Sequence, residues 1–171
     1  MSIEKDFEHK GYRCIVVMTD MGHRCGYVGI PKEHPLHGVS YSNKCKILRM
    51  AEKENKPVDL DKKSIIAVMC SAFDDNNETL SPDMYFDVHG GLTYSETGGG
   101  YPVSNSEDLW FFGYDCAHAG DARDLSVIPE KSREIWSTCN YGTVRTLDYC
   151  IEECKSLAEQ LYEVAQKTVK V

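Results

Sequence analysis

Val144-Arg-Thr-Leu-Asp-Tyr-Cys-Ile-Glu-Glu-Cys-Lys-Ser-Leu-Ala-Glu-Gln-Leu-Tyr-Glu-Val-Ala165 is the stretch on which the fold turns. From Val144, apolar or small residues recur at Leu147, Ile151, Cys154, Ala158, Leu161 and Ala165, in alternating steps of three and four, with Leu157 and Val164 widening the stripe. That period is helical, and a long helix with one apolar face needs a surface to cover. The sequence therefore predicts a helix over about 144–167, with Thr143 after Gly142 as its N-cap.

The surface is written upstream. Tyr12-Arg-Cys-Ile-Val-Val-Met18 and Tyr27-Val-Gly-Ile30 are rich in β-branched and apolar residues, and they read as a hairpin whose second strand begins near His23 and stops at Pro31. Leu109-Trp-Phe-Phe-Gly-Tyr-Asp115 reads as a buried aromatic strand, and Ser64-Ile-Ile-Ala-Val-Met-Cys-Ser71 as a short apolar one. Met84–His89 and Leu92–Ser95 flank Gly90-Gly91 as strand pieces around a bulge or turn. Ser42–Asn55 is helix-tolerant and is closed by Pro57, while Gly98-Gly-Gly100 makes a loop. The charged leader, residues 1–10, receives no element. Strands first and one long helix last define an α+β fold, a mostly antiparallel sheet packed against the C-terminal helix, in a single domain spanning 1–171.

Composition narrows the function classes. Hydrophobic residues make up 42% and charged residues 27% of the 171, which is the mix of a folded domain and not of a disordered chain. The leader carries charges where a signal peptide needs an apolar stretch, and no later run approaches a membrane span, so the expected location is the cytosol. In that compartment the eight cysteines stay reduced, and none of them forms a Cys-x-x-Cys pair, so neither a disulfide framework nor a zinc ribbon is expected. A net charge of −8 with scattered basic residues argues against duplex nucleic acid as a partner. It leaves room for a small anion, because a few arginines, histidines and backbone N–H groups can bind a phosphate inside an acidic protein.

Three clusters concentrate residues a core would not choose: Gly22-His23-Arg24-Cys25-Gly26-Tyr27, Val88-His89-Gly90-Gly91 and Asp115-Cys116-Ala117-His118-Ala119-Gly120-Asp121. Each sits at an expected strand end, where a sheet presents side chains to ligands. Taken one at a time, they also read as ordinary turns whose polar side chains cap backbone groups. Together they define a ligand-binding set of His23, Arg24, His89, Trp110, Asp115, His118 and Asp121. In it Arg24 and the histidines would hold a phosphate or carboxylate, and Trp110, Tyr94, Tyr27 or Tyr114 would offer a face for a base or sugar.

Two catalytic alternatives use the same residues. His23, His89, His118, Asp115 and Asp121 could serve a divalent metal or acid–base chemistry in a hydrolase of a phosphorylated substrate, although the spacing matches no standard metal motif. Cys116, near His118, could act as a nucleophile, against the default of a cysteine packed as a small apolar side chain. No catalytic motif is recognisable, so a binding protein without a required cofactor is the favoured reading. A third alternative is a pure interaction protein, with dispersed clusters and an exposed apolar patch. A homo-oligomer is compatible with all of these.

On Met21-Gly-His-Arg-Cys-Gly-Tyr-Val-Gly-Ile-Pro31 with His34-Pro-Leu-His-Gly38, on Val88-His-Gly-Gly-Leu-Thr-Tyr94, on Phe112-Gly-Tyr-Asp-Cys-Ala-His-Ala-Gly-Asp121 and on Arg145–Tyr149 through Ser156–Leu161, the chain resembles a family of small phage and prophage proteins. The motifs span most of the chain; about 42–83 matches none of them and reads as a family-variable insertion. The resemblance implies a setting, the cytosol of an infected bacterium, rather than an activity. By analogy of context, it implies a protein that captures a phosphorylated or nucleotide-like metabolite, such as a second messenger of host immunity.

Overall fold

The hairpin of Tyr12–Met18 (β2) and Arg24–Ile30 (β3) forms as its composition dictates, and β3 continues the sheet onto the aromatic strand Ser106–Asp115 (β5). In the computed structural model, which describes residues 1–53 and 78–168, five strands run antiparallel in the order β1-β2-β3-β5-β4. Here β1 is Ser2–His9 and β4 is Tyr94–Gly98. The strand expected at 64–71 lies outside the described residues.

Alternation along the strands sorts side chains onto two faces. Cys14 and Val16 of β2, Val28 and Ile30 of β3, and Phe112 and Tyr114 of β5 share one face. Ile15, Val17, Tyr27 and Phe111 share the other, with Tyr94 and Tyr101 packed against them. The first face receives the long helix Leu147–Thr168 (here α4), whose Cys150, Cys154, Leu157, Ala158, Leu161 and Val164 are buried. The buried line therefore runs through Cys150 and Leu157, with Leu147 and Ile151 half-buried at its flank. Opposite Tyr114 stands Gly26, where a Cβ would come within 2.4 Å of the Tyr114 ring. The glycine is the space that the tyrosine fills, and the Tyr114 hydroxyl in turn donates to the Cys150 carbonyl at 2.8 Å, tying β5 to α4.

Three local expectations are corrected. The charged leader is strand β1, joined to β2 through Lys10 (φ 53°) and Gly11 (φ 80°), a two-residue connection with the positive φ values that match hairpin twist. Its charges suit an edge strand, which gains from resisting further pairing. Residues 84–89 are not a strand: Pro82–Tyr85 is a single helical turn (α2), with Pro82 at its first position, and 86–89 run irregularly into a turn. Helix α4 is capped by Thr146, whose hydroxyl accepts the Tyr149 N–H at 3.1 Å, while Thr143 pairs with Asp121 in an isolated bridge. Residues 122–142 leave the sheet as an excursion carrying Glu130–Ser137 (α3), which buries none of its side chains, and Tyr141 lies 80% exposed. The remaining helix, Lys46–Lys53 (α1), lies within the expected helical stretch and touches α4. Among the described residues no helix is long and apolar enough to cross a membrane.

Candidate functional site

The turn at Val88–Gly91 closes with the Gly91 N–H donating to the Val88 carbonyl at 2.9 Å, and it sets His89 against the first turns of α4. The His89 backbone N–H donates to Glu153 Oε2 at 2.8 Å. Its ring lies between two partners, with Nδ1 2.9 Å from the Tyr149 hydroxyl and Nε2 2.8 Å from Asp121 Oδ2. Asp121 ends the turn after β5. Its carboxylate, 1% exposed, also accepts the His118 N–H at 3.0 Å and Arg145 Nε at 2.7 Å. The Arg145 guanidinium carbon then sits 5.2 Å from the centre of the Tyr149 ring.

Burial alone would raise the Asp121 pKa, but the hydrogen bonds from Arg145, His89 and the His118 N–H outweigh it, and the carboxyl stays below its ordinary range. An ionised Asp121 requires a proton on His89 Nε2. In the neutral ring Nδ1 is then an acceptor, to which the Tyr149 hydroxyl donates. Burial, followed by the Glu153 charge, raises the Tyr149 pKa, so the phenol keeps the proton it donates. The result is a directed chain, Tyr149 to His89 to Asp121, with Arg145 as its counter-charge.

His118 joins by contact: its ring centre is 6.0 Å from that of His89. Gly90 makes that approach feasible, since it holds φ +67° and a Cβ there would fall 2.0 Å from the His118 ring. Asp115 is the last residue of β5 and caps the turn that follows. Its oxygens accept the Ala117 N–H at 3.1 Å and the Thr93 hydroxyl at 2.9 Å, with His118 Nε2 3.5 Å away. His23 flanks the group, half-buried, with Arg123 Nη1 3.5 Å from its Nδ1. Burial and the Arg123 charge lower its pKa against the opposing pull of Asp115 and Asp121.

Two of the expected residues stand apart. Arg24 does not present a free fork: Nε and Nη2 grip Glu4 at 2.6 and 2.9 Å, and Nη1 donates to the Arg145 carbonyl at 2.7 Å. Glu4 reaches it because the β1–β2 register shifts between Ile3 and Lys5, leaving Glu4 at an irregularity that re-aims its side chain. Trp110 sits midway along β5, opposite Ile30 at the end of β3, five residues and therefore about 17 Å from Asp115. Its indole N–H donates to the Val39 carbonyl at 3.1 Å. Cys116 is 2% exposed, and its hydrogen bond to Cys150 together with burial pushes the thiol up, away from the thiolate a nucleophile needs. The seven described cysteines are all free, and Cys70 lies outside the described residues.

Beside His89 opens a groove of about 670 Å³ between residues 83–92 and α4, with His89, Tyr149 and Glu153 on its wall. Arg145, Tyr149 and Glu153 are absent from the sequence-derived set. Tyr149 and Glu153 are four apart on α4, and that spacing is the signal that would have found them, since residues four apart share a helix face; Arg145 lies just before the Thr146 cap. Among the described residues no three His, Cys, Asp or Glu side chains form a group that could hold a metal ion. Set against known proteins, the chain matches no protein-family model, no curated protein and no solved structure.

Proposed function

We propose that the chain is a small-molecule-binding protein whose site is the groove beside His89, and that its ligand is a phosphorylated or nucleotide-like metabolite held for capture rather than turnover. One observation carries the reading: His89, Asp121 and the pair Arg145 and Tyr149, from three separate stretches of sequence, are joined by hydrogen bonds and ring contact, and His89 and Tyr149 line a groove whose volume suits a small ligand. A fold gains little from burying a carboxylate with its partners where apolar packing would serve, so such a gathering points to a site. The same geometry supports binding over chemistry. Both ring nitrogens of His89 are engaged, Asp121 is saturated by its three donors, and the nearby thiol is buried. In the phage setting that the sequence motifs suggest, capture of a nucleotide-like messenger would remove it from its receptor.

Native mass spectrometry of freshly purified protein, followed by calorimetric titration with a panel of nucleoside mono-, di- and cyclic phosphates, tests the reading. Stoichiometric binding that leaves the ligand unaltered is expected. Steady conversion of a bound nucleotide to product would replace capture by catalysis, and no binding to any member of the panel would remove the nucleotide reading.

A further inference from the structure

Of the thirteen residues lining the groove, three are carboxylates, Asp83, Asp87 and Glu153, and none is Lys or Arg. A phosphate pushed into that groove would meet the Asp83 and Glu153 carboxylates, with no Lys or Arg among the described lining residues. What such a wall accepts is hydrogen-bond donors. Glu153 uses Oε2 for the His89 N–H, which leaves Oε1 for a hydroxyl or amino group. The nearest cation, Arg145, is outside the groove lining but in contact with Tyr149, which is part of it. Arg145 gives Asp121 only its Nε, and neither Nη group has a hydrogen-bond partner among the described residues, although the side chain is 28% exposed. Glu153 follows Tyr149 by one helical turn, about 6 Å, and the Arg145 guanidinium carbon, from the residue just before the Thr146 cap, lies 5.2 Å from the centre of the Tyr149 ring. Anion, aromatic ring and cation therefore follow one another at intervals of four residues.

We infer that the site is bipolar and selects a nucleoside monophosphate by its two ends. The nucleoside enters the groove, with a sugar hydroxyl or base amino group on Glu153, and the phosphate lies beyond Tyr149 on Arg145. This rests on the nucleotide reading above and deepens it, by stating which end each residue reads and by excluding free phosphate from the groove. Glu153 and Arg145 are then specificity-determining residues with separable effects, because one reads the part common to nucleoside and nucleotide and the other reads only the phosphate.

The test is calorimetric titration of the full chain with inorganic phosphate, the four common ribonucleosides and their 5′-monophosphates, repeated on Glu153→Gln and Arg145→Gln. For the monophosphate that binds best, its nucleoside should bind about tenfold more weakly, the order of one charge-assisted hydrogen bond, and inorganic phosphate should not bind. Glu153→Gln should weaken nucleoside and nucleotide alike by about tenfold, while Arg145→Gln should bring the nucleotide down to the nucleoside. If Arg145→Gln does not fold, the nucleotide-to-nucleoside ratio of the wild type should fall as salt is raised, because Arg145 is partly exposed. Inorganic phosphate binding as tightly as the nucleotide, or a ratio that neither Arg145→Gln nor salt changes, overturns the bipolar arrangement and leaves nucleotide capture standing. Failure of every nucleoside and nucleotide to bind sinks the nucleotide reading itself, and this inference with it.

Discussion

His34 and His89 both have two ring nitrogens engaged, yet they do different work. His34, 5% exposed, accepts the Leu36 N–H at Nδ1 (3.1 Å) and lies 3.0 Å from the Leu161 carbonyl at Nε2, so it bolts the 31–39 segment to the second half of α4. Both partners are backbone. His89, at the first half of the same helix, spends its ring on two side chains and lies on a groove wall. A backbone group cannot change its chemistry, and a histidine saturated by it is a fastener. Side-chain partners with their own charges and exposure can exchange bonds with a ligand. The two ends of α4 thus separate a histidine fastened to backbone from one held by side chains on a groove wall.

The largest effect should come from the shared support of both ends. Leu157 is fully buried on α4 between them, and Leu157→Asp would place an unpaired carboxylate in the core. The cost of several kcal/mol is comparable with the whole stability of a domain, so the variant should lack a cooperative thermal transition. A variant melting like the parent would remove α4 from the core, and the comparison with it.

Asp121→Ala should act on one end only. It strips Arg145 and His89 of a partner that is 1% exposed, and a loss of about 2–4 kcal/mol is expected, short of the full cost of a broken buried pair because Arg145 is partly hydrated. Hydrogen exchange should show the Val88–Gly91 turn loosened and the 31–39 segment unchanged. Equal loosening at both would mean that the ends are one cooperative unit.

A smaller effect comes from pH. His34 has a pKa lowered from 6.5 chiefly by burial, and that of His23 is lowered by burial and by Arg123. Below pH 6.5 the unfolded chain takes up protons that the folded chain refuses. The contribution of these histidines is therefore complete above that pH and is lost as pH falls toward their folded values, by at most about 1.4 kcal/mol per pH unit for each. The lowered Asp121 pKa has the same sign in a lower window: its share is present above 3.8 and goes only as pH falls further. Denaturant midpoints measured from pH 8 to 4 should fall through the upper window, and His34→Gln should flatten part of that fall. A flat wild-type profile between pH 6.5 and 5 would contradict the buried, neutral state of both histidines.

Much of this comparison is legible in the sequence, though unevenly. The stripe of α4 and the apolar runs of β2, β3 and β5 announce themselves because periodicity is a local property, and His89, His118 and Asp121 are legible as polar residues beside glycines at strand ends. Partnership is not local. Arg24 reads as a phosphate fork only while Glu4 is hidden in a leader whose charges mask an edge strand, and Trp110 reads as a stacking face until the β3–β5 register places it opposite the end of β3, five residues from Asp115. Tyr149 and Glu153 are masked for the opposite reason: the apolar stripe announces the helix, while the two residues that meet His89 stand four apart on its neighbouring face, and Arg145 just before the helix reaches Asp121 instead.

The most direct test of the distinction between the two histidines is a paired measurement on His89→Gln and His34→Gln, the affinity for the best-bound nucleotide of the panel and the melting temperature of the free protein. His89→Gln should weaken binding by about tenfold or more while changing the melting temperature little; His34→Gln should lower the melting temperature by several degrees and leave affinity near that of the wild type. Unchanged affinity in His89→Gln, in protein that folds and melts normally, would contradict the assignment of the groove as the binding site.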